Sequence, residues 1–185
     1  AAYCWGSNWW GQLGDGTLGG TNNRRSPVAV VGGLSFKAIT AGEGHACGLS
    51  TVGAAHCWGG NAWGQLGVEN PFGSSGLITS PVAVTGGLVF LALSAGDNHT
   101  CGLTTGGAAY CWGFNTQGQL GDGSTVERWS PTAVSGGRVF QAISAGSFHT
   151  CGLITSGSAF CWGTRDYGAL GDGTFSGSIN SPVAV

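Results

Sequence analysis

The chain is 185 residues long with 38 Gly, 8 Trp and only 8% charged residues, a composition too glycine-rich for packed helices and too apolar for a disordered chain. Six Lys plus Arg oppose eight Asp plus Glu, a formal charge of -2, so no basic field exists to draw nucleic acid or an anionic membrane surface. No apolar run reaches the roughly 18–20 residues that span a bilayer, and the opening residues do not read as a secretory signal.

In chain order, the first element is the short strand at Cys4-Trp5-Gly6. A loop containing Gly11-Gln12-Leu13-Gly14-Asp15-Gly16 follows, and then a closing strand, Ser26-Pro27-Val28-Ala29-Val30. Residues 1–33 thus hold half of a unit that the rest of the chain repeats. The first full unit, over 34–87, begins with Phe36-Lys37-Ala38-Ile39-Thr40-Ala41-Gly42 and continues through His45 and Cys47-Gly48-Leu49. It then turns into Cys57-Trp58-Gly59, runs through a second Gly-rich loop, and closes on a strand from Ser80. The same order returns over 88–137 and 138–185. Cys-Trp-Gly recurs at Cys4, Cys57, Cys111 and Cys161, a spacing of 50–54 residues that belongs to propellers and solenoids.

Each unit contains four short alternating or apolar runs bounded by glycines, which predict four antiparallel strands, A to D. In the clearest unit they fall at 90–95, 99–104, 108–112 and 131–134. Such sheets cover their apolar faces by stacking on one another, and propellers do so around a central channel. The expected fold is therefore all-β, with three complete blades plus half a blade; an open sandwich is the alternative. Because the half blade lacks strands A and B, the expectation is a partial array belonging to a larger ring in a longer protein.

The residues that carry the repeat are A-G-x-x-H-x-C-G-L, the glycine-initiated hairpin into C-W-G, and N-x-x-G-Q-L-G. Over nearly the whole chain they resemble the regulator of chromosome condensation repeat family, in a bacterial secreted form. The resemblance implies a ring of seven blades. It says less about function, because that family includes a nucleotide exchange factor, a plant ultraviolet-B photoreceptor and a bacterial β-lactamase inhibitor. Light sensing would need clustered Trp and Arg, and six basic residues in the whole chain form no such cluster.

Six of the seven cysteines form pairs ten positions apart, Cys47 with Cys57, Cys101 with Cys111 and Cys151 with Cys161. The midpoint of each pair falls in a turn, so the two thiols face each other across the B–C hairpin, within disulfide reach. Disulfides imply an oxidising compartment: extracellular, periplasmic or cell surface. Cys4 is left over, and the repeat places its partner ten positions earlier. Two other uses of these residues are open. His45, His99 and His149 stand two positions before a cysteine, so zinc would find three soft ligands per blade; reduced, buried thiols are the other. The repeated His reads as a core or turn residue bonded to nearby backbone, and Trp5, Trp58, Trp112 and Trp162 as packing between blades.

Strand direction sends the A–B and C–D loops to one face of the disc and the B–C turns and D–A links to the other. Variation concentrates on the first face: the A–B loops carry Glu43-Gly44, Asp97-Asn98 and Ser147-Phe148, while the C–D loops diverge over 17–25, 68–79, 124–129 and 174–180. An invariant frame with variable loops on one side suits recognition. Trp9, Trp10, Trp63, Tyr167 and Trp129 are the candidate contacts, fit for stacking on sugar rings or for a protein hot spot. Asp15, Asp122 and Asp172 before glycine read as turn formers rather than calcium ligands. No cofactor or metal is expected. The expected function is a non-enzymatic extracellular or cell-surface module binding a protein or glycan, with possible assembly with further blades or chains. A secreted inhibitor or regulator and a polysaccharide-acting domain are the alternatives, the last disfavoured by eight carboxylates that form no catalytic constellation.

Overall fold

A computed structural model describes residues 1–68 and 76–185, so most of the predicted divergent stretch 68–79 lies outside the described residues. Short runs of Val, Ile, Phe and Thr broken by glycine form the strands. In the B–C turns, Gly53, Gly107 and Gly157 take φ of 79–89°, a left-handed conformation in which a side chain would be strained. Their amides close the turns onto the carbonyls of Ser50, Thr104 and Ile154.

The described strands are β1 (Tyr3–Gly6), β2 (Arg24–Ala29), β3 (Phe36–Ala41), β4 (His45–Ser50), β5 (Ala55–Gly60), β6 (Leu77–Ala83) and β7 (Phe90–Ala95). They continue as β8 (His99–Thr104), β9 (Ala109–Gly113), β10 (Arg128–Ala133), β11 (Phe140–Ala145), β12 (His149–Ile154), β13 (Ala159–Thr164) and β14 (Ser178–Ala184). All pair as antiparallel meanders: β3 to β6, β7 to β10 and β11 to β14 are four-stranded sheets, and β1 and β2 make a two-stranded one. These are three complete propeller blades and a partial one.

Strands A and B fall where the sequence places them, while the D strands start two to three residues earlier. Arg128 pairs with Gly113 across an irregularity that separates it from the Thr132–Cys111 pair. Gly113 has φ 107°, and a Cβ there would lie 2.6 Å from the Asn98 carbonyl oxygen, so only glycine lets strand C meet the neighbouring A–B loop and strand D at once. Pro27, Pro81, Pro131 and Pro182 all lie in D strands, the sheet edge where a missing N–H costs no ladder bond.

Adjacent blades are joined by a repeated set of buried bonds. The Trp58, Trp112 and Trp162 indoles donate to the carbonyls of Gln12, Gln65 and Gln119 in the preceding blade's C–D loop, at 2.9–3.0 Å. Thr100 and Thr150 hydroxyls donate to the same Gln65 and Gln119 carbonyls. His45 Nε2 lies 2.8 Å from Thr100 Oγ1 and His99 Nε2 lies 2.9 Å from Thr150 Oγ1. Each hydroxyl has one proton and gives it to a carbonyl, so it accepts from the imidazole, which fixes the Nε2–H tautomer. His45 and His99 therefore bond a hydroxyl of the next blade, whose threonine is some fifty residues away and invisible to local reading. Thr150→Val strands His99 Nε2 and leaves the Gln119 carbonyl with the Trp162 indole as its donor; it is expected to cost about 1–3 kcal/mol, read as a lower denaturation midpoint, and an unchanged midpoint would contradict this linkage.

Trp58, Trp112 and Trp162 are fully buried, as their expected packing between blades requires, and Trp5 on β1 is 63% exposed. Cys4 on β1 is half-buried, which pushes its thiol pKa up, and it borders a cavity of ≈ 360 Å³ with Trp5, Ile39 and His45.

Candidate interaction surface

The three predicted cysteine pairs are disulfides. Cys47–Cys57, Cys101–Cys111 and Cys151–Cys161 each join directly opposed residues of strands B and C, with Cα atoms 4.0–4.1 Å apart. The zinc and free-thiol readings lose their ligands, since these sulfurs are bonded to each other. Among the described residues no cluster of three or more His, Cys, Asp or Glu side chains is placed to hold a metal ion.

This framework leaves the A–B loops only three residues long, whereas the C–D loops are organised by their own side chains. Asn8, Asn61 and Asn115 accept the amides of Leu13, Leu66 and Leu120 at 2.9–3.1 Å. Asp15, Asp122 and Asp172 each accept the amide and hydroxyl of the Thr or Ser two residues on. Arg24, Arg128 and Arg165 complete these turns as ion pairs at 2.7–3.1 Å. Burial alone would raise the Asp15 and Asp122 carboxyls, but the hydroxyl, amide and guanidinium partners hold both below the usual carboxylate range. The Thr174 hydroxyl and Arg165 do the same for Asp172. In the last loop Arg165 stands where the others have Asn, and it keeps the link to the Asp.

The structure sorts the five candidate aromatics. Trp9 lies on Gly20 of its own loop, and Trp129 packs on Gly64 of the neighbouring blade's C–D loop. Tyr167 is fully exposed at φ 60° on the one-turn helix Asp166–Gly168, away from the others. Trp10 and Trp63, at equivalent repeat positions, line one cleft of ≈ 200 Å³ together with Glu43, Asn98 and Gln65. Trp63 meets Phe114 edge-on at 5.0 Å, and Phe114 meets Phe148 at 6.3 Å, extending an aromatic arc over three blades. Phe114 was not foreseen: its equivalents are Ser7, Gly60 and Thr164, so the repeat marks the position as variable without marking it as a contact.

A family model for the regulator of chromosome condensation (RCC1) repeat matches residues 1–49 and 106–153, and a second RCC1 repeat model matches 90–119 and 140–169. The chain belongs to the RCC1 repeat family. It is 31% identical over 126 residues to the ultraviolet-B receptor UVR8 of Arabidopsis thaliana, a match covering 68% of this chain and 28% of the receptor. Among solved RCC1-type structures, yeast RCC1 (Prp20), seen bound to Kap60, superposes with a TM-score of 0.83 at 25% identity over 99% of this chain and 44% of that one. The ectodomain of the Physcomitrella patens receptor kinase CR4 superposes with a TM-score of 0.54 at 29% identity, covering 77% of this chain and 34% of that one. The chain thus spans less than half the length of these relatives. Among the described residues no helix is long and apolar enough to cross a membrane.

Proposed function

We propose that this RCC1-repeat chain is a non-enzymatic protein-binding module working in an oxidising, extracytoplasmic compartment, and that it binds through the face formed by its A–B and C–D loops. The observation that carries this reading is the aromatic arc from Trp10 through Trp63 to Phe148, exposed at those three rings and linked by the partly buried Phe114, set on an inter-blade frame that repeats nearly unchanged. Large aromatics at 40% exposure or more gain most when a partner covers them. The disulfides support the compartment, because they persist where thiols are not kept reduced. The likeness to a receptor-kinase ectodomain is in keeping with that address, and the Kap60-bound yeast relative is in keeping with a protein partner.

The test is binding of the oxidised chain to protein and glycan arrays, comparing Trp10→Ala/Trp63→Ala with a pair on the opposite face, Lys37→Gln/Arg138→Gln. The loop-face pair is expected to weaken protein binding by about tenfold or more and the opposite pair to leave it within about twofold. The reverse pattern, or turnover of a substrate without binding, would overturn the proposal. Binding confined to glycans would keep the surface and replace the partner class.

A further inference from the structure

We propose that the cleft between Trp10 and Trp63 receives a lysine or arginine side chain from a basic segment of the protein partner. This rests on the loop-face reading above and names the chemistry that face selects.

The first observation is how charge is distributed. Asp15, Asp122 and Asp172 are already neutralised by arginines inside their turns. Glu43 and Asp97 on the A–B loops, and Glu127 and Asp166 on the C–D loops, have no ion-pair partner among the described residues. All four therefore lie at the same end of the strands. The unpaired cations Lys37, near the start of β3, and Arg138, just before β11, lie at the other end, where Arg138 sits over the Phe160 ring at 4.3 Å. Among the described residues, Arg25 at the start of β2 is the one cation at the loop end outside the three ion pairs. A chain of nearly zero net charge is thus polarised, with an acidic loop face and a basic opposite face, and the acidic face is complementary to a cationic surface.

The second observation is the lining of the cleft. Trp10 is 52% and Trp63 41% exposed, so indole surface is open to a ligand. Two side-chain amides of the lining donate within the protein: Asn61 Nδ2 to the Val68 carbonyl, and Gln65 Nε2 to Asn98 Oδ1 at 3.4 Å. Asn61 Oδ1 and Gln65 Oε1 accept the amides of Leu66 and Trp63. Among the described residues the Glu43 carboxylate has no ion-pair or hydrogen-bond partner. A carboxylate beside open indole surface attracts a cation both by charge and through the ring quadrupole. At ≈ 200 Å³ the cleft is smaller than the roughly 300–1,000 Å³ of small-molecule sites and suits a single anchoring side chain.

The experiment is fluorescence anisotropy of the oxidised chain with labelled peptides of equal length at low and physiological salt. One peptide is Lys/Arg-rich, one is the same sequence with acetyl-lysine and citrulline, one is acidic, and a neutral oligosaccharide completes the set. The cationic peptide is expected to bind about tenfold tighter than its neutral counterpart, with the difference shrinking at higher salt. Glu43→Gln is expected to weaken it about three- to fivefold and Trp10→Ala/Trp63→Ala about tenfold. Asp166→Asn, on the same face outside the cleft, and Lys37→Gln/Arg138→Gln should each stay within about twofold. Equal binding of cationic and neutral peptides, or an Asp166→Asn effect as large as that of Glu43→Gln, would overturn the cation site. If the neutral peptide or the oligosaccharide then binds in a Trp-dependent way, the loop-face reading stands and only the cation chemistry falls. Binding that ignores the Trp pair and fails in the Lys37/Arg138 variant overturns both.

Discussion

Replacing all six bonded cysteines with alanine, or reducing them, is expected to lower the stability of the chain by about 8 kcal/mol, enough to leave it largely unfolded. Each bond closes a loop ten residues apart in sequence, and cross-linking a loop of that size stabilises by about 2–3 kcal/mol in the chain-entropy model. Three such bonds together rival the roughly 5–15 kcal/mol by which domains are stable at all. Removing a single pair, as in Cys101→Ala/Cys111→Ala, should cost one third of the total. That pair lies with Leu103, Phe140 and Trp162 in one buried cluster, so its loss also opens a void. Denaturant unfolding with and without reductant measures the effect. A midpoint unmoved by reductant would show that the sheets hold without their cross-links.

Acidification is the second large effect. His45 and His99 are fully buried between blades, and burial lowers their pKa values to about 4 and about 3; the neighbouring His45 and His149 lower His99 further. Both folded values lie below the unfolded value near 6.5, so the stability these groups contribute is complete above pH 6.5 and is lost as pH falls toward the folded values. Between roughly pH 6 and 4 the unfolded chain binds up to two more protons than the native one, a slope approaching about 2.7 kcal/mol per pH unit. The paired carboxylates of Asp15, Asp122 and Asp172 are held low as well, so their contribution disappears only below the ordinary carboxylate range. Unfolding midpoints at pH 7, 6 and 5 should fall steeply and in step, and a flat profile would mean the imidazoles accept protons without opening the blade interface.

Most of the blade was legible in the sequence because its signals are local. Glycine pairs mark the B–C turns, alternation marks strands A and B, and a fixed separation of ten between cysteines sets the hairpin register that the Cys47–Cys57 pairing realises. What escaped depends on contacts between units. The D strands begin at Arg24, Leu77, Arg128 and Ser178, in segments whose polar residues read as loop, because strand C bends at Gly59, Gly113 and Gly163 and lets pairing resume beyond the irregularity. The His–Thr bonds join residues of successive blades, and Ala46, where Thr100 and Thr150 stand in later units, shows that the repeat does not guarantee them. In the candidate site, aromatic identity alone could not separate Trp9 and Trp129 from Trp10 and Trp63, which share a cleft; the difference lies in which loop each ring meets, Gly20 of its own loop for Trp9, Gly64 for Trp129 and Gly44 of the adjacent A–B loop for Trp10. Glu43 and Asn98 were visible as variable loop residues, but their convergence on that cleft is a property of two adjacent blades.

Cross-strand cystine in every full blade, in the protein as its own cell makes it, underlies both the stability and the compartment argued for this chain. Trapping thiols with an alkylating agent at lysis and then mapping non-reduced peptides by mass tests it directly. The expected result is Cys47 linked to Cys57, Cys101 to Cys111 and Cys151 to Cys161, with none of the six alkylated; alkylation of these six would contradict it and return the chain to a reducing compartment.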